Sequence, residues 1–277
     1  MSAIITLTTD FGLADAYVAA MKGAVLGINP RAQLVDICHT VPPQDIARAA
    51  FVLGASCPYF PPATIHLVVV DPGVGTGRKA VVIRTPEADF VAPDNGVLSQ
   101  VLQPYLAGRA GAKRRDLKAA PGLEAVAITE PRFWRSPVSA TFHGRDIFAP
   151  VAAHLSLGVP PSEFGEPIES LTVLPLPVPS RSPDGTLMGS VRHIDNFGNL
   201  ITNIRRRDLP SNLKNLIIQV GDKAIHGLSR TYGESSGLLA LIGSSDYLEI
   251  SLKNGSAADF INARVDDDVK IIEKSHQ

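Results

Sequence analysis

TIHLVVVDPGVGTGR, residues 64–78, holds two kinds of sequence in one stretch. TIHLVVV is short, β-branched and apolar without alternation, which is how a strand reads when both faces of its sheet are covered. DPGVGTGR then stops it with proline and glycine and ends on an arginine. Working outward, AIITLT (3–8) repeats the plan as an apolar run broken by TDFG (9–12), and ADAYVAAMKGAVLGINP (14–30) has helical spacing that ends at Gly27 and Pro30. AQLVDIC (32–38) reads as a strand and IARAAFVLGASC (46–57) as a helix opened by Asp45. KAVVIRT (79–85) and ADFVAP (88–93) read as further strands. GVLSQVLQPYL (96–106) and DIFAPVAAHLSLG (146–158) read as helices, the second capped by Asp146. Alternation of this kind predicts an α/β domain with helices on both faces of a central, mostly parallel sheet, and function at the strand C-terminal ends.

The composition changes at VLPLPVPSRSPDG (173–185), too rich in proline for a strand or helix. Beyond it, LMGSVRHI, NLITNI, NLIIQVG, KAIHGL, GLLALIG, YLEISL and ARVDDDVKII alternate with Gly, Asn and Asp turns, the pattern of a small antiparallel β-barrel. The expected organisation is therefore an α/β domain at 1–172, a linker at 173–185 and a β-barrel domain at 186–277.

Of the 277 residues, 45% are hydrophobic and 19% charged, as in a well-packed globular chain, and the net charge of −1 offers no field for a polyanion. Nucleic acid is thus not an expected partner; RAGAKRRDLKAAPG (109–122) is basic but lacks interleaved aromatics and reads as a solvated surface loop. MSAIITLTTDFG has neither the basic start of a signal peptide nor the length of a membrane anchor, so a cytoplasmic protein without membrane contact is expected. Cys38 and Cys57, the two cysteines, lack CxxC spacing and read as small buried hydrophobes.

Four polar clusters can carry chemistry: TTDFG (8–12), DPGVGTGR (71–78), TFHGRD (141–146) and HIDNFGN (193–199). DPGVGTGR lacks the spacing of a phosphate loop, and His39, His66, His143 and His193 form no metal-ligand set with a carboxylate. No signature of a serine or cysteine nucleophile is present. An Asp, an Arg and a His remain, which suits activation of water.

ITLTTDFG, VDPGVGTGR, APDNGVL, TFHGRDIFAPVAAHL, IDNFGN and YLEISLKNGSAA together resemble the S-adenosyl-L-methionine hydrolase (adenosine-forming) family, also called SAM hydroxide adenosyltransferases, relatives of fluorinase and chlorinase. The resemblance is collinear over nearly the whole chain and implies hydrolysis of S-adenosyl-L-methionine (SAM) to adenosine and L-methionine. It assigns the holding of the attacking water to Asp71, Arg78 and His143. It implies Asp10 on the ribose hydroxyls, Asp195 on the methionine ammonium, and Ser244 and Ser245 on its carboxylate. Phe197 and Asn199 are implied at the adenine with Asn254 and Ala258, and Glu249 joins the substrate-binding set. It also implies a homotrimer whose sites lie between the first domain of one subunit and the second of its neighbour.

The chemistry is coherent with those residue types. Carbon 5′ is activated by a sulfonium whose departure yields a neutral thioether, so neither a general acid, a metal nor a cofactor is expected. Arg78 can stabilise developing hydroxide, while Asp71 and His143 can orient the water and accept its proton. Two alternatives stand beside this reading: a halide adenosyltransferase and a non-catalytic SAM- or adenosine-binding module. The halogenating relatives replace the Asp, fluorinase carrying a tyrosine there and an added loop. This chain keeps Asp71 and runs uninterrupted through KAVVIRTPEADFVAPDNG (79–96). Arg145 and Asp146 read as a helix-opening ion pair.

Overall fold

A computed structural model describes residues 2–107, 112–117, 121–211, 213 and 215–273. The chain divides into two compact units, Met1–Leu176 and Pro177–Gln277.

In the first unit the elements run β1 (Ile4–Thr9), α1 (Tyr17–Ile28), β2 (Gln33–Cys38), α2 (Ile46–Ser56), β3 (Thr64–Val69), β4 (Ala80–Arg84), β5 (Ala88–Pro93), β6 (Arg114–Asp116), β7 (Glu124–Ala127), α3 (Ala149–Ser156) and β8 (Ser170–Thr172). The main sheet has the order β2-β1-β3-β5-β4-β7. Strands β2, β1, β3 and β5 are parallel, while β4 pairs antiparallel with both β5 and β7. The reversal has a local cause: Thr85 and Ala88 close a tight turn, N–H to carbonyl at 2.9 Å, so β5 must fold back on β4.

The unbroken apolar run of β3 is explained by what covers it. Ile65, Leu67 and Val69 point into a core shared with Met21 and Val25 of α1 and Val151 and Leu155 of α3. Val68 and Val70 point the other way, into a core with Ala49 and Leu53 of α2. The strand period of two thus serves two cores at once. Helix α2 opens as expected, Asp45 Oδ1 accepting from Arg48 N–H at 2.9 Å.

Three local expectations are corrected. Residues 96–106 are not a helix: the segment is a series of turns with one short 3-10 turn, Gln103–Tyr105. Pro104 offers no N–H, and the Ser99 hydroxyl bonds the Gly96 carbonyl at 2.6 Å, competing with helical pairing. Asp146 does not cap α3; a wide π-helical turn, Gly144–Phe148, precedes that helix, and Asp146 lies inside it. The basic segment is more than a solvated loop. Part of it, 109–111 and 118–120, lies outside the described residues, but β6 within it pairs antiparallel with β8, and Arg114 Nη1 reaches Asp94 Oδ2 at 3.0 Å.

The proline-rich stretch is partly claimed at both ends. Val173 N–H donates to Lys113 O and Leu174 N–H to Ser99 Oγ, both at 2.8 Å. At the far end β9 (Ser180–Arg181) opens the second unit. The elements there are β10 (Leu187–Ile194), β11 (Leu200–Arg205), β12 (Leu216–Val220), β13 (Lys223–His226), β14 (Leu238–Ile242), β15 (Tyr247–Leu252), α4 (Ala257–Ile261) and β16 (Asp268–Glu273). Its antiparallel order is β13-β12-β16-β10-β11-β15-β14, with β9 on β10. Ser229 N–H, just past β13, donates to Ala240 O of β14 at 2.8 Å, so the ends of the order approach and the sheet is nearly a closed barrel. Helix α4 was not anticipated; Ser256 caps it by accepting from Asp259 N–H at 3.0 Å.

His66 illustrates what burial costs. It is 1% exposed, shares a 2.8 Å hydrogen bond with Thr6 Oγ1 of β1 and stacks on Phe90. Burial pushes its pKa down to about 4. The unfolded imidazole protonates near 6.5, so the stability held above that pH is lost as pH falls towards about 4. Urea unfolding followed by fluorescence of Trp134, the single tryptophan, should show the parent losing on the order of 2–3 kcal/mol more between pH 7 and pH 4.5 than His66→Gln does. Equal losses would remove His66 as the cause.

Candidate active site

Strands β1 and β3 are parallel neighbours, with Thr9 opposite Val69. The chain therefore delivers Asp10 and Asp71 side by side at one sheet edge, where strand C-terminal ends collect ligands. Asp10 Oδ2 accepts from Gln44 N–H at 2.8 Å, which fixes its carboxylate without covering it.

The loop after β3 returns an arginine to its own aspartate. Arg78 Nε donates to Asp71 Oδ1 and Oδ2 at 2.9 Å each, and Arg78 Nη2 donates to Oδ2 as well. Both side chains are nearly out of water, 11% and 5% exposed. The guanidinium also lies over the Phe148 ring, 5.1 Å from its centroid. Gly75 makes this return possible: its φ is +74°, and a Cβ there would stand 2.6 Å from Ala140 O. The loop thereby rests on the segment that leads into His143.

His143 stands at the mouth of the π-helical turn, a distortion common at functional sites. Its Nδ1 lies 3.1 Å from Arg78 Nη2. Arginine can only donate, so Nδ1 must accept, and the proton of the neutral ring sits on Nε2. Burial, followed by the Arg78 charge, holds the His143 pKa below the ordinary value; Asp71 and Asp146 pull weakly the other way. Asp146 is fully buried and holds the approach loop, accepting from Arg145 Nε at 2.6 Å and Ser139 N–H at 2.9 Å. Arg145 and Asp146 are thus the ion pair read from the sequence, but inside the turn.

Asp10, Asp71 and His143 line one cavity of about 380 Å³, with Gln44, Val74, Thr141 and the rings of Phe11, Tyr17 and Phe142. Phe11 and Phe142 meet edge to face at 5.8 Å, and Tyr17 and Phe142 at 5.2 Å. Arg78 does not line it; the guanidinium stands behind its two partners. The aromatic wall and Gln44 were missed from sequence, although Phe11 and Phe142 adjoin Asp10 and His143. Gln44 acts through its backbone, which its residue type does not announce.

In the second unit Asp195 closes its own turn. Oδ1 accepts from Phe197 N–H and Asn199 N–H at 2.8 and 2.9 Å, and Oδ2 accepts from Asn199 Nδ2 at 2.9 Å. Phe197 is left 76% exposed. Gly198 O accepts from Ala258 N–H at 2.9 Å, joining this turn to α4, with Asn254 at φ +58° just before it. Ser244 and Ser245 lie on the turn between β14 and β15. Glu249 is buried, its Oε1 accepting from Tyr232 Oη at 2.7 Å and Ser251 Oγ at 2.8 Å. Burial, the Glu249 bond and charge, and the Asp195 charge push the Tyr232 pKa up to about 12. Tyr232 is a further residue that its sequence context did not mark.

Among the described residues no group of three or more His, Cys, Asp or Glu side chains is gathered for a metal ion, and no helix is long and apolar enough to cross a membrane.

Residues 5–165 match the model of the SAM hydroxide adenosyltransferase N-terminal domain, and residues 189–270 that of the C-terminal domain. The chain is 36% identical to an (R)-S-adenosyl-L-methionine hydrolase of Salinispora arenicola, over 96% of this chain and 97% of that one. It is 28% identical to a fluorinase of Actinoplanes sp., over 74% and 73%. A crystal structure of an uncharacterized conserved protein from Thermotoga maritima superposes with a TM-score of 0.85 at 35% identity, covering 97% of this chain and all of that one.

The geometry around His143 makes a spectroscopic prediction. In a nitrogen-15 titration its ring should carry the Nε2 proton at neutral pH and titrate below the ordinary value of about 6.5. Arg78→Met should move that midpoint up, because the opposing charge is gone. A midpoint above about 6.5 in the parent would contradict the arrangement.

Proposed function

The chain belongs to the SAM hydroxide adenosyltransferase family, and on that premise we propose that it hydrolyses S-adenosyl-L-methionine to adenosine and L-methionine. The observation that carries the residue assignment is the Asp71–Arg78–His143 contact at the wall of the cavity that Asp10 shares.

The attacking water rests against Asp71 and receives a hydrogen bond from His143 Nε2–H, which leaves a lone pair on its oxygen for carbon 5′. The carbon–oxygen bond forms as the carbon–sulfur bond breaks. Its electron pair goes to sulfur, so methionine leaves as a neutral thioether, and the water's proton passes to Asp71 and on to solvent. Sequence reading left both Asp71 and His143 as proton acceptors; with Nδ1 engaged by Arg78, the imidazole is better suited to donating. Arg78 acts from behind, holding both partners and keeping positive charge near the developing hydroxide. A sulfonium leaving group calls for no metal and no cofactor.

Asp10 takes the two ribose hydroxyls as a bidentate acceptor. Asp195 retains lone pairs for the methionine ammonium, Ser244 and Ser245 hold its carboxylate, and Phe197, Asn199, Asn254 and Ala258 serve adenine. Glu249 contributes by orienting the Tyr232 hydroxyl. The proposed working form is a cytoplasmic homotrimer in which these residues of one copy serve the water-holding trio of the next. Halide transfer is the weaker reading, the fluorinase match being lower in identity and in coverage.

Purified protein incubated with SAM should release adenosine and methionine in equal amounts, whatever the chloride or chelator content. The relatives' name specifies the R epimer, so the sulfonium epimers are assayed separately. Asp10→Ala should raise KM at least about tenfold, whereas Arg78→Met should mainly lower kcat, as expected for uniform against transition-state binding. Unchanged KM in Asp10→Ala would remove the ribose assignment, and formation of 5′-chloro-5′-deoxyadenosine would replace the hydrolysis reading.

Sharing between copies has its own test. Asp71→Ala and Asp195→Ala are each expected to be inactive, yet co-refolded mixtures can pair an intact half of one copy with an intact half of another. Partial recovery is expected in mixed oligomers verified by gel filtration, and none would rule out sharing.

A further inference from the structure

One buried side chain that the proposed chemistry leaves idle is His39, in the loop after β2. It is 4% exposed. Its Nδ1 lies 2.9 Å from Thr9 Oγ1, and its carbonyl accepts from Gly12 N–H at 2.7 Å. Thr9 Oγ1 also accepts from Phe11 N–H at 3.3 Å. The residues on both sides of Asp10 are therefore tied to one histidine. With Nε2 facing the Asp36 carboxylate, which can only accept, the neutral ring carries its proton on Nε2, and Nδ1 then accepts from the Thr9 hydroxyl. Nε2 faces Asp36 Oδ1 at 3.0 Å, off the ideal hydrogen-bond line, and Asp36 Oδ2 accepts from Lys22 Nζ at 2.6 Å.

Hydroxyl, imidazole and carboxylate stand here in the order of a hydrolytic triad, but Thr9 is 0% exposed, so no substrate atom can reach its oxygen. The connection instead runs towards the cavity through the main chain. We infer that His39 is a positioning residue for substrate binding: through Thr9 and Gly12 it fixes the turn that aims Asp10, and Asp36 with Lys22 fixes His39. The inference rests on the assignment of Asp10 to the substrate's ribose.

Asparagine and glutamine separate this from a merely structural role. His39→Asn keeps an acceptor on the γ-carbon, where Nδ1 stands, and can still receive the Thr9 proton. His39→Gln moves its amide one carbon further out and loses it. With SAM as substrate, His39→Gln should raise KM about tenfold, the scale of one lost hydrogen bond, with kcat within about twofold. His39→Asn should stay within about threefold of the parent KM. Thermal melts of both confirm that folded protein is compared. In parallel, nitrogen-15 spectra of the parent should show the His39 proton on Nε2. Equal KM in the two variants, a fall in kcat at unchanged KM, or a proton on Nδ1 would overturn the inference. A parent that does not turn over SAM sinks the hydrolase reading instead, and the tautomer then decides the His39–Thr9 contact alone.

Discussion

Asp71 and Arg78 are opposite charges held almost out of water, at 5% and 11% exposure, and neither could stay there without the other. Removing one partner of such a pair leaves a buried charge uncompensated, a loss of about 3–5 kcal/mol. That constraint dictates the loop between them. The chain must turn back within DPGVGTGR, Gly75 must take a left-handed conformation, and no side chain can intervene between it and Ala140 O. The guanidinium that results turns the second N–H of Nη2 towards His143. The imidazole's tautomer, and hence what it can offer a water, follows from an ion pair behind it.

The sheet supplies the rest of the geometry. Because β1 and β3 are parallel neighbours, two carboxylates reach the same edge with opposite characters. Asp71 is neutralised in charge by Arg78 but keeps lone pairs towards the cavity. Among the described residues Asp10 is held by one backbone N–H and is in no ion pair, which leaves it available to hydroxyl groups. Phe11, Tyr17 and Phe142 line the same cavity with aromatic rings, and electrostatic interactions there gain strength where a bound substrate displaces water.

Much of this was legible in residue order. The double burial of TIHLVVV, the aspartates at strand ends and the cap at Asp45 each follow from a local rule that the tertiary structure obeys. The misreadings have equally local causes. Residues 96–106 carry helical apolar spacing, but the Ser99 hydroxyl and Pro104 break the backbone pairing that spacing alone implies. Asp146 has the composition of a cap, yet a one-residue widening of the helix carries it inside. Strand β6 could not be read from KRRD, because its partner β8 lies far along the chain. Site orientation was the least legible: sequence names Arg78 and His143, but only the fold puts the guanidinium behind the imidazole and on its Nδ1.

In the proposed reaction a water molecule held by Asp71 and His143 attacks carbon 5′. Hydrolysis of SAM in water enriched in oxygen-18, followed by mass spectrometry of the adenosine, addresses it directly. One labelled oxygen per adenosine, located at the 5′-hydroxyl and absent from methionine, is the predicted result. Adenosine formed without label, or label appearing in methionine, would contradict the account.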